Sequence, residues 1–592
     1  MTTQSSTDSA ADPSKTHPSL RLWPGVVIVA VQWLLRFVVP SVFPGALPVG
    51  VLGGLAGGVA LIVWWMFFSR APWADRWLGL GLIAVALLAT PQILHVSVAT
   101  GNMGLMFPIF AVPLLCLAFV VWAATTQNLP VGPRRAAMAV AIFLSCGVWA
   151  LVRTGGNTTD FAHDFAWRWT PTPEERLLAE GDDVPTAVAS SVGLAGTESE
   201  WDGFRGPHRD SVIPGVRIDT DWATSPPTEL WRQPVGPGWS SFAVHGDVFY
   251  TQEQRGEDEV VSCYRTQTGE PVWRHSDPAR FWESVGGAGP RGTPTLHGGR
   301  VYTLGGTGLV NALDAADGSV VWSRDAATDT GAELPTWGFS ASPLVWDDLV
   351  IVAVSGALIA YDRDTGDLRW TGPAGGEGYS SPHPITLGGV EQIVQLNGDG
   401  LVGVAPADGS LLWEHGWSGY PIVQPALTAD GDLLISVNSN SGTRRVAVTR
   451  NADGWDTEER WTSKGLKSYF NDFVVHKGHA YGFDGTILAC IDVEAGERQW
   501  KGGRYGGGQL FLLADQDLLV VLSEKGAVAL VQATPEGYTE VSRFEAIEGK
   551  TWNHPVLADD VLLVRNSEEM AAFRLSIAEA VAEGVIPAVP GS

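Results

Sequence analysis

Cysteine is scarce, with four in 592 residues. Cys116 and Cys146 fall in apolar segments, and Cys263 and Cys490 in strand-like runs far apart, so neither a disulfide framework nor a metal-type spacing is implied. From Trp77 to Pro133 there is no Asp, Glu, Lys or Arg at all, which excludes an ordinary water-exposed surface for that stretch. Positive charge is short overall: 38 Lys and Arg against 64 Asp and Glu, a formal net charge of −26. The deficit is uneven. Residues 1–155 carry eight basic and three acidic residues, and the remainder carries 30 and 61. So acidic a remainder argues against a nucleic-acid partner, which needs cationic surface. Catalytic signatures are missing as well. The run DRDTGD (362–367) opens like a calcium loop, but no Glu follows at the twelfth position. GFSAS (338–342) lacks the last Gly of a nucleophile elbow, and GGRYGGGQ (502–509) lacks the strand–loop–helix context of a phosphate loop. Asp314, Asp362 and Asp492 read as turn residues. No catalytic residue and no metal ligand is assigned.

What the first quarter has instead is apolar length. Residues 1–19 are polar and expected to be disordered. Five apolar segments follow, at about 24–43, 49–68, 77–98, 103–124 and 136–152, each close to what a hydrocarbon core of about 30 Å requires. Four spans are the alternative, because the first segment contains Arg36 and Pro40. Arg36 faces either neighbouring helices or the outer interface. Basic residues alternate with neutral loops: Lys15 and Arg21, then Arg70 and Arg76, then Arg134 and Arg135. That alternation predicts a cytoplasmic N-terminus and an outer location for everything after Arg153. The expected organisation is a disordered start (1–19), a transmembrane domain (20–153), a linker (154–200) with a short helix near Pro173, a repeat domain (201–575) and a tail (576–592) with a short helix.

The repeat domain is organised by LDAADGSVVW (313–322), which recurs as YRTQTGEPVW (264–273), YDRDTGDLRW (361–370), VAPADGSLLW (404–413) and IDVEAGERQW (491–500). Each copy places a Gly four residues before a Trp, which reads as a tight hairpin turn followed by a strand whose indole needs a slot. With the degenerate copies, the aromatic series is Trp231, Trp273, Trp322, Trp370, Trp413, Trp461, Trp500 and Phe544, spaced by 39 to 49 residues. That is the period of one four-stranded propeller blade. Trp231 has no strands before it, and the group at 554–575 has strands but no terminal aromatic. Joining the two completes an eighth blade and closes the ring; seven blades is the alternative. The expected fold is therefore an all-β, eight-bladed propeller preceded by an α-helical transmembrane domain.

These repeats resemble the pyrroloquinoline-quinone (PQQ) repeat family of β-propellers, which includes quinoprotein dehydrogenases and the assembly lipoprotein BamB. The opening WDGFRGPHRDSVIPGV also resembles bacterial, planctomycete-type proteins with such repeats. In this family the loops before each inner strand point to one mouth of the central channel. The resemblance thus implies a funnel made by Trp239, Arg291, Trp337, Tyr379, Tyr420, Tyr469, Gln509, Trp552 and Asn553, with His554 beside it and Asp472 and Glu377 as its acidic residues. Such a ring reads either as a pocket for a small molecule or glycan or as a plug that packs neighbouring blades. The function expected is a membrane-anchored, extracytoplasmic binding or assembly module in the inner membrane, with the lipid bilayer and a periplasmic protein or glycan as partners and no cofactor. The alternative is a membrane-bound dehydrogenase that uses PQQ with calcium.

Overall fold

A computed structural model describes residues 20–43, 46–181, 199–437 and 440–578. The expected disorder of 1–19, and the tail beyond residue 578, lie outside the described residues. The chain divides into two compact units: residues 1–156 with 163–170, and residues 157–162 with 171–592.

The first unit is helical. Five helices, Trp23–Val42, Leu47–Phe68, Trp73–Gln92, Met106–Thr125 and Val131–Leu151, are long and apolar enough to cross a membrane. The second carries buried Gly50, Gly54 and Gly58 on one face. A Cβ on Gly50 would lie 2.6 Å from Pro40 and one on Gly54 3.2 Å from Arg36, so the small residues let the first two helices touch. Gln32 of the first helix donates to the Gly54 carbonyl at 2.6 Å. Arg36 sits in a π-helical turn, Leu34–Val38, and is buried. Its guanidinium lies 4.8 Å from the centroid of Phe110, so it faces the fourth helix. After the fifth helix the chain forms a hairpin, Val152–Asn157 with His163–Trp167, where the sequence predicts only linker.

The second unit contains the short helix near Pro173 as Pro173–Ala179, started by a Thr172–Glu175 capping box. From Trp201 onward come eight antiparallel blades of four strands, the seventh widened by a parallel fifth strand, Val212–Ile213. The eighth blade is closed by the strand Thr228–Pro234, which pairs with Glu569–Arg574 and sets Trp231 opposite Ala572. Closure thus joins the two chain ends of the repeat domain, as the orphan Trp231 predicts.

The repeat residues explain how blades join. The indole N–H of Trp273 donates to the Ala315 carbonyl at 3.0 Å, that of Trp322 to Arg363 at 2.9 Å and that of Trp461 to Val493 at 3.1 Å. Each acceptor lies in the hairpin of the next blade. Trp231, Trp370 and Trp500 do the same with Thr266, Pro406 and Thr534. The turn Gly of the next blade lies under the ring: a Cβ on Gly366, at φ +74°, would fall 2.7 Å from Trp322. Trp413 departs from the rule, because blade five has a longer hairpin. Its N–H turns to Gln392 of its own blade at 2.6 Å. In all eight blades the outer strand pair slips register, in seven of them next to the Trp, as between Ala312 and Leu313 opposite Trp322, and in the seventh blade opposite Ser542, two residues from Phe544. Such bulges bend and twist the outer strand.

Candidate functional site: an aromatic channel mouth

The loops before the inner strands bring most of the sequence-predicted ring together. Trp239 and Trp552 have centroids 4.8 Å apart, Trp552 and Phe470 4.9 Å, Phe470 and Tyr469 5.6 Å, Tyr469 and Trp337 6.3 Å, and Trp337 and Tyr379 4.9 Å. Five inter-blade loops thus contribute to one unbroken chain of ring contacts, all within the range of favourable aromatic pairs. Lys550 lies over two of these rings, 4.5 Å from Trp552 and 5.3 Å from Trp239.

Other predicted residues do different work. Tyr420 is 58% exposed and has no ring partner among the described residues. Arg291 is drawn back into its own loop, donating to the Gly287 carbonyl at 2.9 Å and to Gly289 at 2.5 Å, with its guanidinium 4.9 Å from the Phe281 ring. Gln509 donates to the carbonyls of Trp552 and Phe470, and Asn553 to that of Ser240 at 2.6 Å. The amide oxygens of Gln509 and Asn553 are buried without a hydrogen-bond partner. Both side chains are almost wholly buried, so they pack the loops rather than line the open mouth.

The acidic inventory differs from the expected Asp472 and Glu377. Glu524 and Glu283 also reach the mouth; sequence reasoning missed Glu524 because it lies on a hairpin turn within a blade, and Glu283 because it lies on a short strand, Trp282–Glu283, upstream of the loop at 289–294. Glu524 accepts from the Trp552 indole at 2.7 Å, the Gly507 N–H at 3.1 Å, and the N–H and hydroxyl of Thr159 at 2.7 and 2.5 Å. Glu283 accepts from the N–H groups of Val285 and Gly286. Glu377 accepts from the Tyr379 hydroxyl. Each carboxylate is therefore engaged in holding a loop.

Below the rings the channel is crossed by a buried polar layer. The Asp472 carboxylate accepts from the Gln424 N–H at 2.6 Å and faces Arg205 at 3.7 Å and His554 at 3.4 Å. Burial pushes the Asp472 carboxyl up, but Arg205 and His554 outweigh it and hold it below the usual range. Burial likewise keeps His554 low, against the pull of Asp472, so its ring is neutral near pH 7. Arg205 and Arg209 come from the FRGPHRD run, which enters the channel. Arg209 donates to the carbonyls of Pro343 and Ser342 at 2.9 and 3.1 Å. Beyond this layer lies a chamber of about 590 Å³ lined by Arg205, Trp346, His383, Leu427 and Phe473, among others. Burial and the two nearby guanidinium groups push His383 down to about 3. No cluster of His, Cys, Asp and Glu suited to a metal ion occurs among the described residues.

The chain is similar to several known proteins. The family model described as outer membrane protein assembly factor BamB matches residues 223–336 and 257–502. BamB of Shewanella oneidensis is 28% identical over 381 residues, covering 58% of this chain and 87% of that protein. BamB of Yersinia pestis is 27% identical over 154 residues, a match covering 24% of this chain and 36% of that protein. Among solved structures, the quinohemoprotein alcohol dehydrogenase of Comamonas testosteroni shares 13% identity at a TM-score of 0.48, covering 70% of this chain and 85% of that one. In its matching repeats, the propeller of this chain is similar to the PQQ-repeat, BamB-like family.

Proposed function

We propose that this chain is a membrane-anchored, extracytoplasmic propeller that works as a binding or assembly module, engaging a protein or glycan segment at the aromatic mouth. The observation that carries the reading is the chain of ring contacts from Trp239 to Tyr379, reinforced by Lys550. Aromatic faces, an exposed Tyr420 and the Lys550 ammonium over two rings suit recognition of a polar, extended segment. Proteins named as assembly factors share its repeats. The alternation of basic and neutral loops supports an inner-membrane anchor with the propeller outside.

PQQ with calcium fits these residues poorly. A flat quinone needs a slot between rings, and the rings of the mouth touch one another directly. Calcium takes six to eight oxygen ligands, whereas Glu524 already accepts from three residues and Asp472 is buried against Arg205 and His554. A base over the substrate would require a further free carboxylate.

The test places a photo-crosslinking amino acid at Tyr420 or Tyr469 in the full chain, in cells. Discrete adducts that disappear with Trp337→Ala are expected, with none from the same probe at Val321 on an outer strand. Equal labelling at Val321, or no adduct at the mouth, would refute the assignment.

A further inference from the structure

The helical unit ends in a hairpin that its transmembrane role does not require. Its strands, Val152–Asn157 and His163–Trp167, continue directly from the fifth helix. The hairpin folds back on the end of the bundle where the third and fifth helices finish and the fourth begins. The Arg168 N–H donates to the Leu151 carbonyl at 2.9 Å, and its guanidinium to the Ala150 carbonyl at 3.0 Å. Arg168 thereby satisfies orphan carbonyls of the fifth helix and places positive charge at its negative end. The Thr154 N–H donates to the Ser97 hydroxyl at 3.0 Å. Phe165 lies 5.2 Å from Phe110 and 5.7 Å from Trp149, and His163 lies 5.1 Å from Phe110. The hairpin is therefore held at a fixed height against the helix ends.

That height can be stated. The fifth helix has 21 residues, Val131–Leu151. At about 1.5 Å per residue it spans roughly 30 Å, the thickness of a hydrocarbon core. Leu151 thus falls at the edge of that core, and the bonds from Arg168 fix Trp167 and Trp169 at the same level. The two indoles lie stacked, centroids 5.2 Å apart and planes 3° apart, and are 48% and 66% exposed. Ile93, Leu105, Leu151 and the 95% exposed Met103 lie at the same end of the bundle. Stacked indoles at helix-end level, beside exposed aliphatic groups and the guanidinium groups of Arg168 and Arg153, match the aromatic belt of a membrane–water interface.

We propose that this hairpin is an interfacial membrane anchor, with Trp167 and Trp169 seated at the boundary between headgroups and acyl chains of a phospholipid bilayer. The proposal rests on the membrane-anchored reading above. Lipid is the occupant because the exposed surface continues from the apolar flanks of the helices at the level where the bilayer core ends. A protein partner would leave those flanks unexplained.

The experiment uses the full chain in vesicles of phosphatidylethanolamine and phosphatidylglycerol. Nitroxides are attached at Trp167→Cys and Trp169→Cys, with Val85→Cys in the third helix and Asp453→Cys in the propeller as references; the four native cysteines are buried, and the wild-type chain gives the labelling background. At 167 and 169 accessibility to oxygen should exceed that to a water-soluble nickel chelate, by a smaller ratio than at 85, with the opposite order at 453. Aqueous behaviour at 167 and 169 with Val85 in lipid would overturn the hairpin anchor alone. Shielding from both quenchers at 167 and 169 would also overturn it, because protein then covers the indoles. Aqueous behaviour at Val85 as well would overturn the membrane reading beneath it.

Discussion

Replacing Gly366 with Ala tests how neighbouring blades are joined. Two costs arise, and both can be worked from the structure. Gly366 has φ +74°, a conformation that costs an L-residue about 1 kcal/mol. The new Cβ would also lie 2.7, 2.8 and 3.0 Å from Trp322 Cδ2, Cγ and Cε3, so the buried indole must shift. Its N–H bond to the Arg363 carbonyl, 2.9 Å long, is then weakened or lost. A buried donor left unpaired costs about 1–3 kcal/mol, so the total is about 2–4 kcal/mol. Gly299 has φ +75° with nothing near its Cβ position and reports the strain alone, about 1 kcal/mol. Gly537, with open space and ordinary φ, should report about 0 kcal/mol. Urea midpoints of the three Ala variants should therefore fall in the order Gly537, Gly299, Gly366. In a Trp322→Ala background the Gly366 effect should shrink to that of Gly299, because only the clash is removed. If Gly366→Ala costs no more than Gly299→Ala, or the cycle shows no coupling, the indole-on-turn joint is not what holds the blades.

Further outcomes follow from the same geometry. Ending the chain after Lys550 removes the strands that pair with Thr228–Pro234; the propeller should lose cooperative unfolding and aggregate, and a monomer with an unchanged melting temperature would refute the closed ring. Burial, partly offset by the Gly306 N–H and Arg291, lifts the Glu259 carboxyl to about 7 from an ordinary 4.5. Between those values the folded state binds the proton more tightly, so this group's contribution is full below pH 4.5 and is lost as pH rises through 7. Glu259→Gln should accordingly raise the urea midpoint near pH 8 and leave it nearly unchanged near pH 4, as denaturation at the two pH values would show. A reporter fused after Gly155 should be active only if exported, and cytoplasmic activity there would reverse the orientation read from the basic loops.

Much of this was legible in the residues. The Gly-to-Trp spacing carried blade count, hairpin placement and the slot for each indole, because a turn that needs positive φ and a ring that needs a carbonyl leave a fixed mark in sequence. Trp231 gave away the closing strand because an aromatic without preceding strands can belong only to the other end of a ring. The helices were legible from uninterrupted apolar length. The mouth was only half legible. Trp239, Trp337, Tyr379, Tyr469 and Trp552 stood in equivalent loops, but Phe470 beside Tyr469 and Glu283 ahead of the 289–294 loop carry no repeat signal, and Glu524 reaches the mouth from a hairpin turn within a blade. Arg291 illustrates the reverse error: its loop position is right, but carbonyls of its own turn capture the guanidinium. The entry of Arg205 and Arg209 into the channel left a signal in FRGPHRD, two arginines in an acidic domain, without indicating which carbonyls would receive them.

The most direct test of the central claim is the thermal stability of the purified full chain with PQQ and calcium added together. A binding module whose rings touch and whose carboxylates hold its own loops should show an unchanged melting temperature and no dye-linked oxidation of sugars or alcohols. A rise of several degrees that disappears with Asp472→Asn or Glu377→Gln would contradict the account and make the mouth a quinone site.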